Sequence, residues 1–173
     1  MLFPEKLKKA VQYVAFKCDP YDLGNVRLNK ILWKSDVFMH MKRGESITGW
    51  RYKKKPYGPM VDGYHLLLSE LEDQGIISRN YDFKGKREIC LISADTCDLN
   101  NLSEEERNIL DSFIDYVTNQ HTAQSISEES HDSFYDLTQD DGIIPLGPIR
   151  IEPSEGDIQW ARQVIDEYDQ VQT

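Results

Sequence analysis

Side chains able to carry out covalent chemistry are few in this sequence, and one run gathers three of them. Ser130-His131-Asp132 has the residue types of a nucleophile, a base and an orienting acid. Residues adjacent in sequence rarely face one another in the geometry that proton transfer requires. We therefore expect Ser130 and His131 to end a short helix, with His131 bonded to carbonyls or into the core. We assign no catalytic residue.

Other motifs of catalysis and cofactor binding are missing from the sequence. It has neither a Gly-x-Ser-x-Gly turn nor a glycine-rich phosphate loop. Its four histidines are scattered without metal-ligand spacing. The three cysteines, Cys18, Cys90 and Cys97, contain no Cys-x-x-Cys pair, which argues against a zinc cluster and a disulfide framework. We predict a protein that is not an enzyme and has no cofactor and no metal site.

A sharper chemical signal is a run of cations interleaved with aromatic rings. The run is Trp50-Arg51-Tyr52-Lys53-Lys54-Lys55, followed by Tyr57-Gly58-Pro59-Met60. Such a composition can contact phosphates and stack on bases, and it also matches protein-binding hot spots. In an extended strand, Trp50 and Tyr52 would lie on one side and Arg51 and Lys53 on the other. The rings are then either core residues with solvated charges opposite, or part of a contact surface.

Charge divides the chain into two unequal parts. The 173 residues carry a net charge of −10. Residues 1–93 hold 17 Lys/Arg and 11 Asp/Glu, whereas residues 94–173 hold 3 and 19. The acidic half is either a solvated helix surface or a surface for a basic partner. The acidity of the whole chain argues against nucleic acid as the main partner.

The sequence contains no feature that would direct the chain into or across a membrane. No apolar run approaches the ~18 residues of a membrane span. The stretch Met1–Phe16 has an amphipathic pattern instead of the apolar region of a secretory signal. We therefore expect a cytoplasmic protein without membrane contact.

Hydrophobic periodicity predicts the elements that must position the basic and aromatic run. We predict helices over Pro4–Lys17, Val26–Arg43 and Met60–Gln74, an extended segment over Ile47–Lys55, and a hairpin formed by Ile76–Phe83 and Lys86–Ile92. Within the second helix, Phe38 belongs to the predicted buried stripe, while Trp33 lies off the stripe at the margin of the core. Gly44 is a typical residue to follow a helix end.

The second half of the chain is predicted from capping signals. Ser103 and Glu106 form a capping box that opens a helix to about Asn119, and Thr122 caps a short helix that buries Ala123 and Ile126. An edge strand is expected over Ile143–Ile151 and a terminal helix over Ser154–Gln170. The fold class is α+β: a mostly helical single domain, residues 1–153, with a small antiparallel β-hairpin sheet, followed by a C-terminal helix, residues 154–173.

A series of short motifs with fixed order and spacing runs from Leu28 to His131, within a resemblance that covers roughly residues 5–150. The motifs are Leu28-Asn29-Lys30-Ile31-Leu32-Trp33, Ser35-Asp36, Gly44, Ile47-Thr48-Gly49, Arg51-Tyr52, Tyr57-Gly58-Pro59-Met60-Val61, Leu71 with Gly75-Ile76-Ile77, and Ser130-His131. Together they resemble the Panacea domain family, which includes SocA-type antitoxins and phage-associated proteins. Ile47–Val61 is the most specific part. Phe134 or Tyr135 stands where the family commonly has a tryptophan after its Ser-His element.

The resemblance implies an antitoxin that neutralises a cognate toxin by direct protein contact. Family members pair with toxins of many folds, and no enzymatic activity is implied. In the SocA-type case the antitoxin also delivers its toxin to the ClpXP protease, so an AAA+ protease is a further expected partner. The identity of the toxin and the oligomeric state stay open. The candidate toxin-binding residues are Trp50, Arg51, Tyr52, Lys54, Tyr57, Gly58, Pro59 and Met60.

An alternative function is that of a winged-helix-like DNA-binding transcriptional regulator. Met60–Gln74 would be the recognition helix and Lys84–Arg87 the wing. Against it, the helix offers several carboxylates and neither Lys nor Arg, which is a poor surface for a phosphate-lined groove.

Overall fold

The computed structural model describes residues 2–20, 22–81, 87–91 and 101–146, with the backbone alone for residues 80, 81 and 87–91. The helices are α1 Glu5–Lys17, α2 Asn25–Arg43, α3 Tyr64–Asp73, α4 Glu104–Asn119, α5 Ala123–Glu129 and α6 Ser133–Leu137. The strands are β1 Tyr52–Lys55, β2 Gly58–Val61, β3 Ile77–Tyr81, β4 Arg87–Leu91 and β5 Ile143–Ile144. The predicted α+β class, mostly helical with a small antiparallel sheet, is confirmed. The terminal helix expected over Ser154–Gln170, and the domain boundary before it, lie outside the described residues.

Two small antiparallel sheets accompany the helices. The first has the strand order β2-β1-β5, and the second pairs β3 with β4. In the first sheet Tyr52 lies opposite Val61 on one side and Ile144 on the other, and all three side chains are buried. Because β5 ends the strand order, it is an edge strand; of the range Ile143–Ile151 it covers Ile143–Ile144, and residues 147–151 lie outside the described residues. The β3–β4 hairpin is also confirmed, with Ile77 paired to Leu91, whereas the expected turn around Lys84 lies outside the described residues.

Helix α2 lies at the centre of the fold and is enclosed on several sides. It packs against α1, α4, α5 and β2, and its residues 28–33 are all buried. Trp33 is 4% exposed, which confirms its place in the core. Phe38 is 47% exposed, so its predicted burial is wrong; its ring instead meets Phe113 edge to face at 5.9 Å on the surface. Gly44 ends the helix with a left-handed φ of 82°.

The start of α3 differs from the prediction. The helix begins at Tyr64, and Met60 and Val61 belong to β2. Val61 fits the apolar spacing of either element, and pairing with β1 decides in favour of the strand. Gly63, at φ 77°, then turns the chain into the helix.

Local capping signals predict the following helices well. The Ser103 hydroxyl accepts from the Glu106 amide at 3.2 Å, and the Glu106 carboxylate accepts from the Ser103 amide at 2.7 Å. Ile126 is buried as expected, but Ala123 is exposed. Helix α6 was not predicted. No helix in the described ranges combines the length and apolarity needed to cross a membrane.

Candidate functional site

The turn between β1 and β2 presents an aromatic ring to solvent. We call residues 55–59 the hairpin tip. Its central residues, Pro56 and Tyr57, are both exposed, and Tyr57 is 72% exposed. A tyrosine offers a large apolar area with a polar end and few rotatable bonds, which makes it a frequent anchor in protein interfaces.

Two carbonyls of the hairpin tip are held by the helices that follow α4. The Tyr135 hydroxyl of α6 donates to the Lys55 carbonyl at 2.7 Å. The Ser127 hydroxyl of α5 donates to the Tyr57 carbonyl at 2.9 Å. These donors lie 80 and 70 residues away in sequence, so the turn is fixed by the tertiary fold as well as by its own strands.

A third carbonyl of the hairpin tip is held from below by α2. Lys30 Nζ donates to the Pro59 carbonyl at 3.2 Å, and the Lys30 side chain is 1% exposed. Gly58, at φ 92°, has no room for a side chain, because a Cβ there would overlap Lys30 Nζ and Ser130 Oγ. Burial, together with the charge of Lys34, lowers the pKa of Lys30 to about 7. The tip is thus bound to three separate helices.

The aromatic residues of the basic run lie on one side, as alternation predicts, and of the two possibilities left open by the sequence they take the inward one. Tyr52 is 0% exposed, and its hydroxyl donates to the Asp36 carboxylate at 2.7 Å. Trp50 packs against the core, and its indole N–H donates to the Asp62 carbonyl at 2.8 Å. The side chain of Arg51 between them is 61% exposed. The rings of Trp50 and Tyr52 therefore pack beneath the surface on which Arg51 is exposed.

Asp36 is the buried acceptor at the centre of this support. It accepts hydrogen bonds from the Thr48 amide at 2.9 Å, from the Thr48 hydroxyl and from Tyr52. Burial raises the pKa of Asp36 to about 6, although these hydrogen bonds act in the opposite direction. The helix α2 is in this way tied to the loop before β1.

The cations at residues 51, 53 and 55 have carboxylate partners within the same chain. Arg51 and Lys53 lie 2.7 and 3.0 Å from the Asp62 carboxylate, and Lys55 pairs with Asp141. Partial burial would raise the pKa of Asp62, but hydrogen bonds from Lys53 and Arg51 lower it overall. The cations of the basic run therefore have acidic partners in the fold, with Arg51 and Lys53 sharing the one carboxylate of Asp62.

Lys54 points to the other side of the hairpin. Its Nζ donates to the Thr138 carbonyl at 3.0 Å and lies 4.7 Å from the centre of the Tyr135 ring. On that ring His131 stacks in parallel, at 4.1 Å and 1°. His131 is exposed, so the expectation that it bonds to carbonyls or into the core is wrong.

The Ser130-His131-Asp132 run holds no catalytic arrangement, because each polar group has a different partner. The Ser130 hydroxyl donates to the Ser127 carbonyl at 2.7 Å, and Asp132 caps α6 by accepting from the Tyr135 amide at 2.9 Å. Ser130 does end α5, as predicted. Among the described residues, no cluster of His, Cys, Asp and Glu could hold a metal ion.

A shallow groove of about 330 Å³ lies on the outer face of the hairpin. Its lining includes Lys53, Lys55 and Met60 of the strands and His65 and Leu66 of α3. Leu66 is 63% exposed. Neither His65 nor Leu66 was predicted as a site residue; Leu66 lies off the apolar stripe of α3, which is the sequence signal that could have marked it.

Of the candidate residues, Arg51 and Tyr57 are exposed, and Tyr52, Gly58 and Pro59 are buried supports. The remaining candidates are half-buried; they are Trp50, Lys54 and Met60. The residues that hold the tip from below, such as Ser127 and Tyr135, were not among the candidates.

Helix α3 lacks the features of a DNA recognition helix. It contains no Lys or Arg, and its carboxylates serve other elements: Glu70 pairs with Lys8 at 2.6 Å and Glu72 with Arg79 at 2.7 Å. A duplex phosphate backbone would meet no cation from this helix.

Comparison with family models places these elements in a known family. Residues 28–134 match the model described as antitoxin SocA-like, Panacea domain, a span that reaches from α2 into α6 and contains the whole hairpin. No curated protein and no solved structure matches the chain. Because the match covers more than half of the 173 residues, the chain belongs to the SocA-like antitoxin family defined by the Panacea domain.

Proposed function

We propose that this protein is an antitoxin that binds a cognate toxin through the hairpin tip and neutralises it by steric blocking. The observation that carries the proposal is Tyr57, 72% exposed on a turn whose carbonyls are held by side chains of α2, α5 and α6. A contact residue presented in a fixed shape loses little conformational entropy on binding, which favours affinity.

The surroundings of Tyr57 fit a protein partner better than a nucleic acid. The paired charges of Arg51 and Asp62 lie along the hairpin, and the groove beside it is lined by half-buried Met60 and exposed Leu66. An aromatic anchor, nearby apolar area and a rim of charges describe the usual anatomy of a protein interface.

The acidic second half of the chain is a reason to expect a basic toxin. Exposed carboxylates of α5, α6 and the following loop surround the elements that hold the tip; they are Glu128, Asp132, Asp136 and Asp140. A toxin that acts on RNA needs a basic surface. Opposite charges would steer the two proteins together, so association should slow as salt is raised.

Delivery of the toxin to an AAA+ protease would be an additional mode of action. The two modes differ in what the host must supply, because blocking needs only the antitoxin. In a host that lacks the protease, rescue from the toxin is expected to persist if blocking is sufficient. Loss of rescue in that host would mean that the antitoxin acts by delivery to the protease and that steric blocking is not sufficient.

The test uses the product of the neighbouring gene as the toxin. Co-expression should restore growth, and the purified proteins should form a complex that Tyr57→Ala weakens. Met41→Ala is a matched control, since Met41 is 66% exposed but lies eleven residues after Lys30 on α2. If the wild-type protein neither binds nor rescues, the proposal is wrong. If Met41→Ala weakens binding as much as Tyr57→Ala, the tip is not the binding site.

A further inference from the structure

Lys30 is a buried cation without a counter-charge. Its side chain is 1% exposed, and no carboxylate of the described residues lies within ion-pair distance of it. The other buried lysine, Lys8, is 3% exposed and pairs with Glu70 at 2.6 Å and Glu5 at 3.2 Å. The two lysines therefore differ in how their charge is compensated.

The amine of Lys30 is costly for the stability of the fold. Moving an ammonium out of water disfavours its charged form, and here burial lowers the pKa to about 7. One hydrogen bond to the Pro59 carbonyl is the only contact that offsets this loss among those described. Apolar side chains of similar shape commonly stabilise a protein when they replace buried charged groups.

The Lys30 amine lies directly beside the backbone of the hairpin tip, at Gly58 and Pro59. Gly58 passes so close to Lys30 Nζ and Ser130 Oγ that an added Cβ would force at least one of these side chains to move. The Pro59 carbonyl is aimed at the amine, and Tyr57 lies two residues before it. Removing the amine would leave both a space under Gly58 and a carbonyl without its donor.

We propose that Lys30 is a positioning residue for partner binding: its amine holds the Pro59 carbonyl so that Tyr57 projects in one orientation, at the expense of fold stability. The inference rests on the proposed function of the hairpin tip. Loss of stability in exchange for a fixed binding geometry is a common trade in functional sites. The partner is the protein that contacts Tyr57.

The test is Lys30→Met, which keeps the length of the apolar chain and removes the amine. At pH 7 the melting temperature is expected to rise, because the buried charge is gone. Chymotrypsin cleavage after Tyr57 is expected to become faster, because the turn is held at one point fewer. The dissociation constant for the toxin is expected to increase by about tenfold.

The matched control is Lys8→Met, which removes a buried lysine that has carboxylate partners. It is expected to lower the melting temperature, because Glu70 loses its cation, and to leave cleavage after Tyr57 and toxin binding unchanged. Unaltered cleavage and binding in Lys30→Met would overturn the proposal, and so would a fall in its melting temperature. Cleavage after Tyr57 is measured without toxin, so it tests the role of Lys30 even if the proposed function fails.

Discussion

The side-chain oxygen of Asn29 accepts a hydrogen bond from the Val61 amide at 2.8 Å. The next residue, Lys30, donates to the Pro59 carbonyl on the same edge of β2. Two successive side chains of α2 thus occupy the place that a neighbouring strand would take. An open strand edge invites pairing with another chain, so α2 closes the sheet on this side.

Asn29→Ala is expected to lower the free energy of unfolding by about 1–3 kcal/mol, because the buried Val61 amide loses its acceptor. Urea denaturation of the purified variant measures this. Asn108→Ala, at an exposed position of α4, is the control and should change stability by less than about 0.5 kcal/mol. Equal effects of the two substitutions would contradict the role of Asn29 at the strand edge.

Comparing the stability losses of Gly58→Ala and Gly49→Ala distinguishes the cost of backbone strain from the cost of steric overlap. Both glycines have a left-handed φ, 92° and 65°, but only Gly58 would direct a Cβ into Lys30 and Ser130. We expect Gly49→Ala to cost about 1 kcal/mol and Gly58→Ala about 3 kcal/mol or more, since overpacking adds to strain. Urea denaturation again supplies the comparison. Similar costs would mean that the space under the tip is not filled.

Sequence patterns predict those features of the fold that are decided locally. Gly44 ends α2 and the Ser103 capping box opens α4, because each signal acts on backbone groups within a few residues. Met60 was assigned to a helix because Val61 satisfies the apolar spacing of a helix and of a strand alike. Pairing between β1 and β2 resolves the ambiguity, and that pairing is a tertiary interaction.

The candidate site shows the same division. Alternation predicts that Trp50 and Tyr52 lie on the same side of the extended segment, and the structure shows that this side faces the core. The sequence does not predict that Lys30 of α2 is buried, since a lysine on a helix is ordinarily solvated. Nor can it predict the donors Ser127 and Tyr135, which come from helices far along the chain.

Arg51→Ala combined with Tyr57→Ala tests the contact surface directly. Toxin binding is expected to weaken at least about tenfold, because Tyr and Arg side chains dominate interface energies. The melting temperature should stay nearly constant, since Tyr57 is 72% exposed and Asp62 keeps Lys53 as a partner at 3.0 Å when Arg51 is replaced. Calorimetric titration with toxin and a thermal melt give both values. A lower melting temperature with intact binding would place these side chains in the fold instead of the interface.

Asp36 makes the stability of the protein depend on pH in the acidic range. Its folded pKa of about 6 lies above the ordinary value of 3.8. Between these values the folded state holds a proton that the unfolded state has released, so stability falls as pH rises from about 4 to 6. The groups that face the carboxylate are Thr48 and Tyr52. Urea denaturation across this range should show that the free energy of unfolding of the wild type falls relative to that of Asp36→Asn as pH rises. A constant difference between the two free energies would contradict this.

Lys30 has the opposite effect in the alkaline range. Its folded pKa of about 7 lies below the ordinary value of 10.5, so between these values the unfolded state holds the proton that the folded state lacks. Stability therefore rises with pH from about 7 to 10 and is lowest, for this group, at and below pH 7. The neighbouring groups are Lys34, Ser130 and the Pro59 carbonyl, and none is a carboxylate that would hold the proton on the amine.

Urea denaturation of wild type against Lys30→Met from pH 6 to 10 isolates this contribution, because every other titrating group is common to both proteins. The advantage of the variant should shrink as pH rises from 7 to 10, because the unfolded wild-type chain progressively loses the proton on Lys30 that had favoured unfolding. An advantage that stays constant over this range would mean that the amine has the same pKa in the folded and the unfolded protein, as a solvated lysine does.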